Sequence, residues 1–298
     1  MKQDITLYNP YTKKYEKEQI ASEAFMRFLY ATFVGKLPLH LAINRKFFSK
    51  IFGLWADSKI SKSYIAGFAK SYNINLDDAI KSDFENFNDF FTRKLKPEAR
   101  AIASQGSEQV IFPADARNLA VENISKDYSL YVKGQELSLE KLVDCQKLAK
   151  LFEGGSLMIS RLSPVDYHRF HYPISGKIVA RKLIKGKLNS VSPIALREKI
   201  DYLLANERVL TLLEVAKDKF CAILEVGATN VGSIVNLNEI GEDVKQGDEM
   251  GYFKFGGSCI ITIYQKDFVD FEQKIIEESS KSIEYYSLAN SYCGKLKK

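Results

Sequence analysis

The run Arg161–Gly176, RLSPVDYHRFHYPISG, carries two of the chain's three histidines, His168 and His171; the third is His40. Imidazole titrates near neutrality, so a pair of them is a natural place to look for proton transfer. Pro164 and Pro173 flank the pair and favour a short strand or loop over a helix. Positions three apart on an extended segment point to opposite faces, whereas on a helical turn they would share one. The two rings are therefore expected to serve different tasks. A zinc reading of HxxH needs further ligands, and no His or Cys clusters nearby. Two buried histidines bonded to backbone is the plain alternative that the pair alone leaves open.

Two other segments could supply partners. In Ile111–Val121, IFPADARNLAV, Pro113 fixes a turn from which Asp115 can present a carboxylate. In Gly251–Ile263, GYFKFGGSCIITI, the pair Gly256-Gly257 precedes Ser258 between apolar runs. Glycines admit dihedrals closed to other residues and let another group approach the backbone closely. A hydroxyl directly after the Gly257 carbonyl can attack it. Each segment alone is weak: aspartates in turns usually cap amides, and GGS is usually a loop or bulge. Together they hold a carboxylate, imidazoles and a hydroxyl, the parts of an Asp–His–Ser relay.

These residues need a scaffold. With 298 residues, 46% of them hydrophobic and 27% charged, the chain has the profile of a folded protein of one large domain or two ordinary ones. Residues 1–19 read as a polar arm. Residues 20–100 read as helical, from the spacing of Phe25, Phe28, Leu29 and Phe33, and of Phe84, Phe87 and Phe91. After Pro97 the texture changes. Gln109–Phe112, Leu119–Val121, Ser156–Ile159, Ile178–Leu183, Ala222–Val226, Ser233–Leu237 and Ser258–Tyr264 are short and strand-like, with one helix expected at Leu137–Leu151. The run Gly241–Gly251, GEDVKQGDEMG, resembles turns of barrel-sandwich hybrid domains, without the lysine motif of a carrier. The fold class expected is α+β: a helical region over 1–100, then a β-rich catalytic body over 101–298 with barrel-sandwich-like strands.

The net charge of +6 fits an anionic partner and equally no partner. The charge is concentrated, however. From Arg27 to Lys62 the basic residues are Arg27, Lys36, Arg45, Lys46, Lys50, Lys59 and Lys62, and Asp57 alone is acidic. Phe28, Tyr30, Phe33, Phe47, Phe48, Phe52 and Trp55 are interleaved with them, a pattern of an interfacial amphipathic helix or of a core-facing helix pair with a solvated basic face. The N-terminus has no apolar stretch of a signal peptide, and no run reaches the length of a spanning helix. Cys145, Cys221, Cys259 and Cys293 are far apart and form no CxxC, so neither a disulfide framework nor a zinc knuckle is expected.

The ordered set of motifs resembles the phosphatidylserine decarboxylase family. DYHRFHYPISG is similar to its histidine motif, FNDFFTRKLKPEAR at Phe87–Arg100 to its N-terminal signature, and PAD at 113–115 to its aspartate motif. VGATNVGSI at 226–234 and GYFKFGGS at 251–258 are similar to its C-terminal signatures. GGS stands where many members have LGST, and Ala116 where many have glycine. The resemblance implies self-cleavage between Gly257 and Ser258 into pieces 1–257 and 258–298, by a relay of Asp115, His171 and Ser258. Ser258 would become a pyruvoyl group that forms a Schiff base with the substrate, and His168 would serve decarboxylation. It implies no metal or nucleotide cofactor, phosphatidylserine as substrate, phosphatidylethanolamine as product, and no nucleic-acid partner. It also implies peripheral attachment to an anionic membrane on the cytoplasmic side and association of the two pieces; a homodimer is one assembly it allows. The rival classes are a barrel-sandwich interaction module and an Asp–His–Ser hydrolase, both of which keep the chain intact; GxSxG is absent.

Overall fold

The computed structural model describes residues 5–18, 20, 46–103, 106, 108–124, 137–228 and 234–297. Sixteen strands are described. They are β1 (Thr6–Asn9), β2 (Lys14–Lys17), β3 (Gln109–Ile111), β4 (Ala116–Val121), β5 (Ser156–Leu162), β6 (Arg169–His171), β7 (Gly176–Ile184) and β8 (Arg208–Ala216). There follow β9 (Lys219–Gly227), β10 (Ile234–Asn236), β11 (Asp243–Val244), β12 (Glu249–Phe253), β13 (Ser258–Tyr264), β14 (Val269–Phe271), β15 (Glu284–Ser287) and β16 (Tyr292–Leu296). One sheet of ten strands runs β11-β7-β8-β9-β13-β5-β4-β15-β1-β2, and two three-stranded sheets run β10-β12-β6 and β14-β16-β3. With helices before and between them, the architecture is α+β, as the sequence suggests.

The run SCIITIY becomes β13 because both faces of the large sheet are covered. Successive side chains of a strand point to opposite faces. Ile260 and Tyr264 join an apolar cluster with Met158, Leu162, Phe170 and Phe253 on one side. Cys259, Ile261 and Ile263 join Leu157, Ile159 and Leu224 on the other. A strand buried on both faces reads as a continuous apolar run. All seven residues of β13 pair antiparallel with β5 and with β9, from Ser258 opposite Leu162 and Gly227 to Tyr264 opposite Ser156 and Cys221.

The N-terminal lobe comprises helices α1 (Lys46–Ala56), α2 (Ile65–Ser71) and α3 (Phe87–Phe91) around Ala56, Ile65, Phe84, Phe87, Phe90 and Phe91. In α3, Asn86 caps the first turn by accepting from Asp89 N at 2.9 Å. The opening stretch departs from the expected arm and helical region. Residues 6–17 form a hairpin whose β1 lies parallel to β15, so the first 100 residues are not one helical unit. Ile5 and Leu7 are buried two positions apart, but four-residue strands leave too short a pattern to separate from an arm. The helix expected at Leu137–Leu151 is two short ones, Leu139–Val143 and Gln146–Leu151, broken at Asp144, which adopts φ 50°.

Glu225 on β9 is fully buried, accepting from Thr211 Oγ1 at 3.2 Å. Burial pushes its carboxyl up to about 8, with Arg181 opposing. Between 4.5 and 8 the folded chain therefore holds a proton that the unfolded chain lacks. The stability this proton linkage contributes is complete below pH 4.5 and is lost as pH rises through 8. Glu225→Gln should accordingly gain on the wild type as pH rises across that window, by at most about 1.4 kcal/mol per pH unit. Urea unfolding midpoints at a series of pH values check this; a pH-independent gap contradicts it.

Candidate active site

The chain around the candidate serine is a double loop. β5 ends at Leu162 opposite Ser258, the chain turns through Ser163–Tyr167, and His168 O accepts from Phe253 N at 3.0 Å. Lys254–Gly257 then closes the circuit back to Ser258. The two histidine and glycine motifs are thus brought together by the ladder, although they lie far apart in sequence. Gly256 has φ 147°, which only glycine adopts readily, and its conformation lets the chain turn sharply into β13. Gly257 has ordinary dihedrals, and a side-chain carbon there would meet nothing closer than Val191 Cγ2 at 3.4 Å.

Ser258 is fully buried, and among the described residues its Oγ has no hydrogen-bond partner. His168 is also fully buried, with its ring 3.8 Å from that of Phe91 in α3. Its Nδ1 lies 3.0 Å from Asp166 O, a carbonyl that only accepts, so the proton sits on Nδ1 and the lone pair on Nε2. That Nε2 is buried without a partner among the described residues. Burial, opposed by the Asp166 carbonyl, pulls the ring's pKa down to about 3. His168 is a neutral base with its lone pair free.

His171 occupies different surroundings, as the extended reading of the pair requires. Its Nδ1 donates to Gly247 O at 2.9 Å, and its Nε2 accepts from the Tyr167 hydroxyl at 3.4 Å. Burial lowers its pKa too, with the Gly247 carbonyl, Glu249 and Asp115 opposing. The aspartate turn is tied to it through the backbone: His171 N donates to Pro113 O at 2.8 Å, two residues from Asp115. Asp115 itself accepts from Arg100 Nε at 2.7 Å and Nη2 at 2.5 Å, and from Ala289 N at 2.8 Å. The structure ties His171 to the turn that carries Asp115, and among the described residues Asp115, His171 and Ser258 make no hydrogen bond to one another.

Several site residues carry no signal of their own in the sequence. Arg100 closes the Phe87–Arg100 motif, but no spacing rule joins it to a carboxylate fifteen positions on. Asn88 clamps the glycine loop before Ser258 to the N-terminal lobe: its Oδ1 accepts from Phe255 N at 2.7 Å and its Nδ2 donates to Asp57 at 2.9 Å. Behind the site runs a buried ionic network. Arg161 binds Glu18 and Glu284 at 2.7 and 2.6 Å, and Arg117 binds Glu18 at 3.2 Å and also Asp166. Among the described residues no group of three His, Cys, Asp or Glu could hold a metal ion. His40 and residues 229–233 of the VGATNVGSI motif lie outside the described residues.

A family model described as phosphatidylserine decarboxylase matches residues 87–284. A phosphatidylserine decarboxylase proenzyme of Ruminiclostridium cellulolyticum is 39% identical over 97% of both chains. One of Clostridium perfringens is 42% identical over 94% of this chain and 96% of its own, and one of Clostridium tetani is 38% identical over 98% of both.

The depressed pKa of His168 has a measurable consequence. Between about 3 and 6.5 the unfolded ring takes a proton that the folded one refuses. The folded state thus loses stability as pH falls below 6.5. His168→Asn, which keeps a donor for the Asp166 carbonyl, should remove this dependence. The difference between variant and wild type should shift toward the variant by at most about 1.4 kcal/mol per pH unit below 6.5. Parallel stability curves from pH 7.5 to 5 would contradict the neutral, buried assignment.

Proposed function

Because this chain belongs to the phosphatidylserine decarboxylase family and so is an enzyme that decarboxylates phosphatidylserine, we propose that it makes its own cofactor, a pyruvoyl group left at position 258 by self-cleavage after Gly257. The observation that carries this reading is Ser258 itself, a buried hydroxyl without a partner directly after a glycine pair. An unpaired buried hydroxyl costs about 1–3 kcal/mol, and a chemical use accounts for keeping one there. The word proenzyme in the relatives' names fits a chain made as a precursor.

In this reading Asp115 orients His171 and balances the charge it gains, and His171 takes the Ser258 proton. Ser258 Oγ bonds to the Gly257 carbonyl carbon and the Gly257–Ser258 C–N bond breaks, giving an ester. Elimination removes the Ser258 Cα proton and releases Gly257 as a carboxylate; water then converts the remaining enamine to the ketone, with loss of ammonia. For this His171 exchanges the Tyr167 hydroxyl for that of Ser258, and Asp115 turns from Arg100 toward the ring. Once formed, the ketone condenses with the substrate amine and withdraws the electron pair that CO2 leaves behind. His168 positions the substrate carboxylate or delivers a proton to the carbon that lost CO2. The reading assigns no role to a metal or a nucleotide.

We also propose peripheral binding to an anionic membrane, on its cytoplasmic face, through the N-terminal lobe. What supports it is the outward face of the lobe: Ile51, Phe52, Leu54, Ile60 and Tyr64 are exposed beside Lys50 and Lys59, while Ala56 and Ile65 face the core. Such a surface, apolar and basic together, suits a lipid interface. Residues 21–45, which carry the rest of the basic, aromatic stretch, lie outside the described residues. No helix among the described residues is long and apolar enough to cross a membrane.

Cleavage and CO2 release measured on the same samples test the first proposal. Wild type should yield a fragment starting at position 258, and Ser258→Ala should stay whole. His171→Ala and Asp115→Ala should accumulate precursor, whereas His168→Ala should still cleave yet turn over little lipid. Wild type that stays uncut while decarboxylating rules out the cofactor proposal, and the reverse pattern for the histidines reverses their roles. For the second proposal, a Leu54→Glu, Ile60→Glu double variant should bind vesicles containing phosphatidylserine at least about tenfold more weakly. Unchanged co-sedimentation would refute it.

A further inference from the structure

The motif Phe87–Arg100 contains one buried charged group with no place in the chemistry above. Arg93 lies two residues beyond α3 and is 6% exposed. Its guanidinium sits over the Phe90 ring, 5.1 Å from the centroid, and Nη1 reaches Phe90 O at a long 3.4 Å. Its Nε is buried without an acceptor among the described residues. Among the described residues it makes no ion pair. The neighbouring buried guanidiniums differ in this respect: Arg100 holds Asp115, Arg117 holds Asp166 and Glu18, and Arg161 holds Glu18 and Glu284. Asp115 and Asp166, the carboxylates whose charge Arg93 feels most, are therefore already engaged.

Arg93 also stands next to the reacting groups. Phe91, two residues before it, stacks on His168 and packs at 5.1 Å against Phe255, three residues before Ser258. The charge of Arg93 is felt at His168. Three buried polar atoms without partners, Arg93 Nε, His168 Nε2 and Ser258 Oγ, thus belong to one region. A buried cation whose donors are left open is costly unless an anion arrives to take them.

We propose that Arg93 binds the phosphodiester of the substrate headgroup. The proposal rests on the decarboxylase reading of this site. The substrate offers two anions, its carboxylate and its phosphodiester, and catalysis discriminates between them. The carboxylate becomes neutral CO2, so a guanidinium gripping it would stabilise the ground state more than the transition state and slow the reaction. The phosphodiester keeps its charge throughout. A cation there binds substrate and transition state alike, which lowers KM and leaves kcat alone. Such a contact selects a phospholipid over free serine.

The test uses the purified full-length chain, with Arg93→Gln and Arg93→Lys. Denaturing gels come first: both variants should be cut as wild type is. With phosphatidylserine in detergent micelles, Arg93→Gln should raise KM by about 10- to 100-fold, the worth of a charged hydrogen-bonded contact, with little change in kcat. Arg93→Lys should fall between. Inhibition by glycerophosphoethanolamine, a phosphodiester without a carboxylate, should weaken in step with KM. Inhibition by O-methylserine, a carboxylate without a phosphate, should not change. The proposal is overturned if Arg93→Lys stays uncut, if kcat falls while KM holds, or if O-methylserine is the inhibitor that weakens. Failure of the wild type to cleave would instead strike the cofactor reading, so the two failures are distinguishable.

Discussion

Every residue of β13 is hydrogen-bonded into the sheet on both sides, and the rest of the structure is arranged around that double pairing. It sets Ser258 at the mouth of a central strand, where no water reaches its hydroxyl and where the preceding glycines make the turn. A break in the chain just before such a strand removes none of its pairing. The segment after Ser258 is woven further into the molecule: β15 lies between β4 and β1, and β16 between β14 and β3. The fold thus tolerates loss of one covalent bond at this position without needing that bond to stay together.

The buried ions reinforce the same arrangement. Arg161, opposite Cys259 in the ladder, binds Glu18 from the N-terminal hairpin's exit and Glu284 from the start of β15. Arg117 adds Asp166, which also accepts from Ser163 N in the loop before His168. Buried pairs of this kind add little net stability, because desolvation offsets attraction, but removing one partner strands a charge. Their effect is on register: segments from the beginning, middle and end of the chain meet in one geometry behind the site. Arg100 pairs in the same way with Asp115, whose carboxylate also accepts from Ala289 N.

Much of this was legible in the residues. The seven strands read from apolar runs are all strands, because continuous apolar character and glycine or proline boundaries report burial directly. The opposite placement of His168 and His171 followed from the period of an extended chain. What stayed hidden depends on contacts distant in sequence. The 6–17 hairpin owes its place to pairing with β15, nearly 280 residues on, and its own four-residue strands are too short to show a period. β8 mixes buried and half-buried positions on both faces, with Leu210 in one apolar cluster and Leu213 in the other, so it shows neither strict alternation nor a continuous apolar run. The roles of Arg100, Asn88 and Arg93 are set by what packs beside them, and the motif that contains all three said only that they travel together.

The claim on which the account turns is that Gly257–Ser258 is cut while the sheet remains whole. Intact mass of one purified sample under native and then denaturing conditions tests it most directly. The account predicts a single native species with the mass of the chain plus the water taken up and less the ammonia lost on conversion of Ser258, and two species after denaturation, the smaller beginning at position 258 with a blocked terminus. A single full-length mass under both conditions, from a sample that releases CO2 from phosphatidylserine, would contradict it.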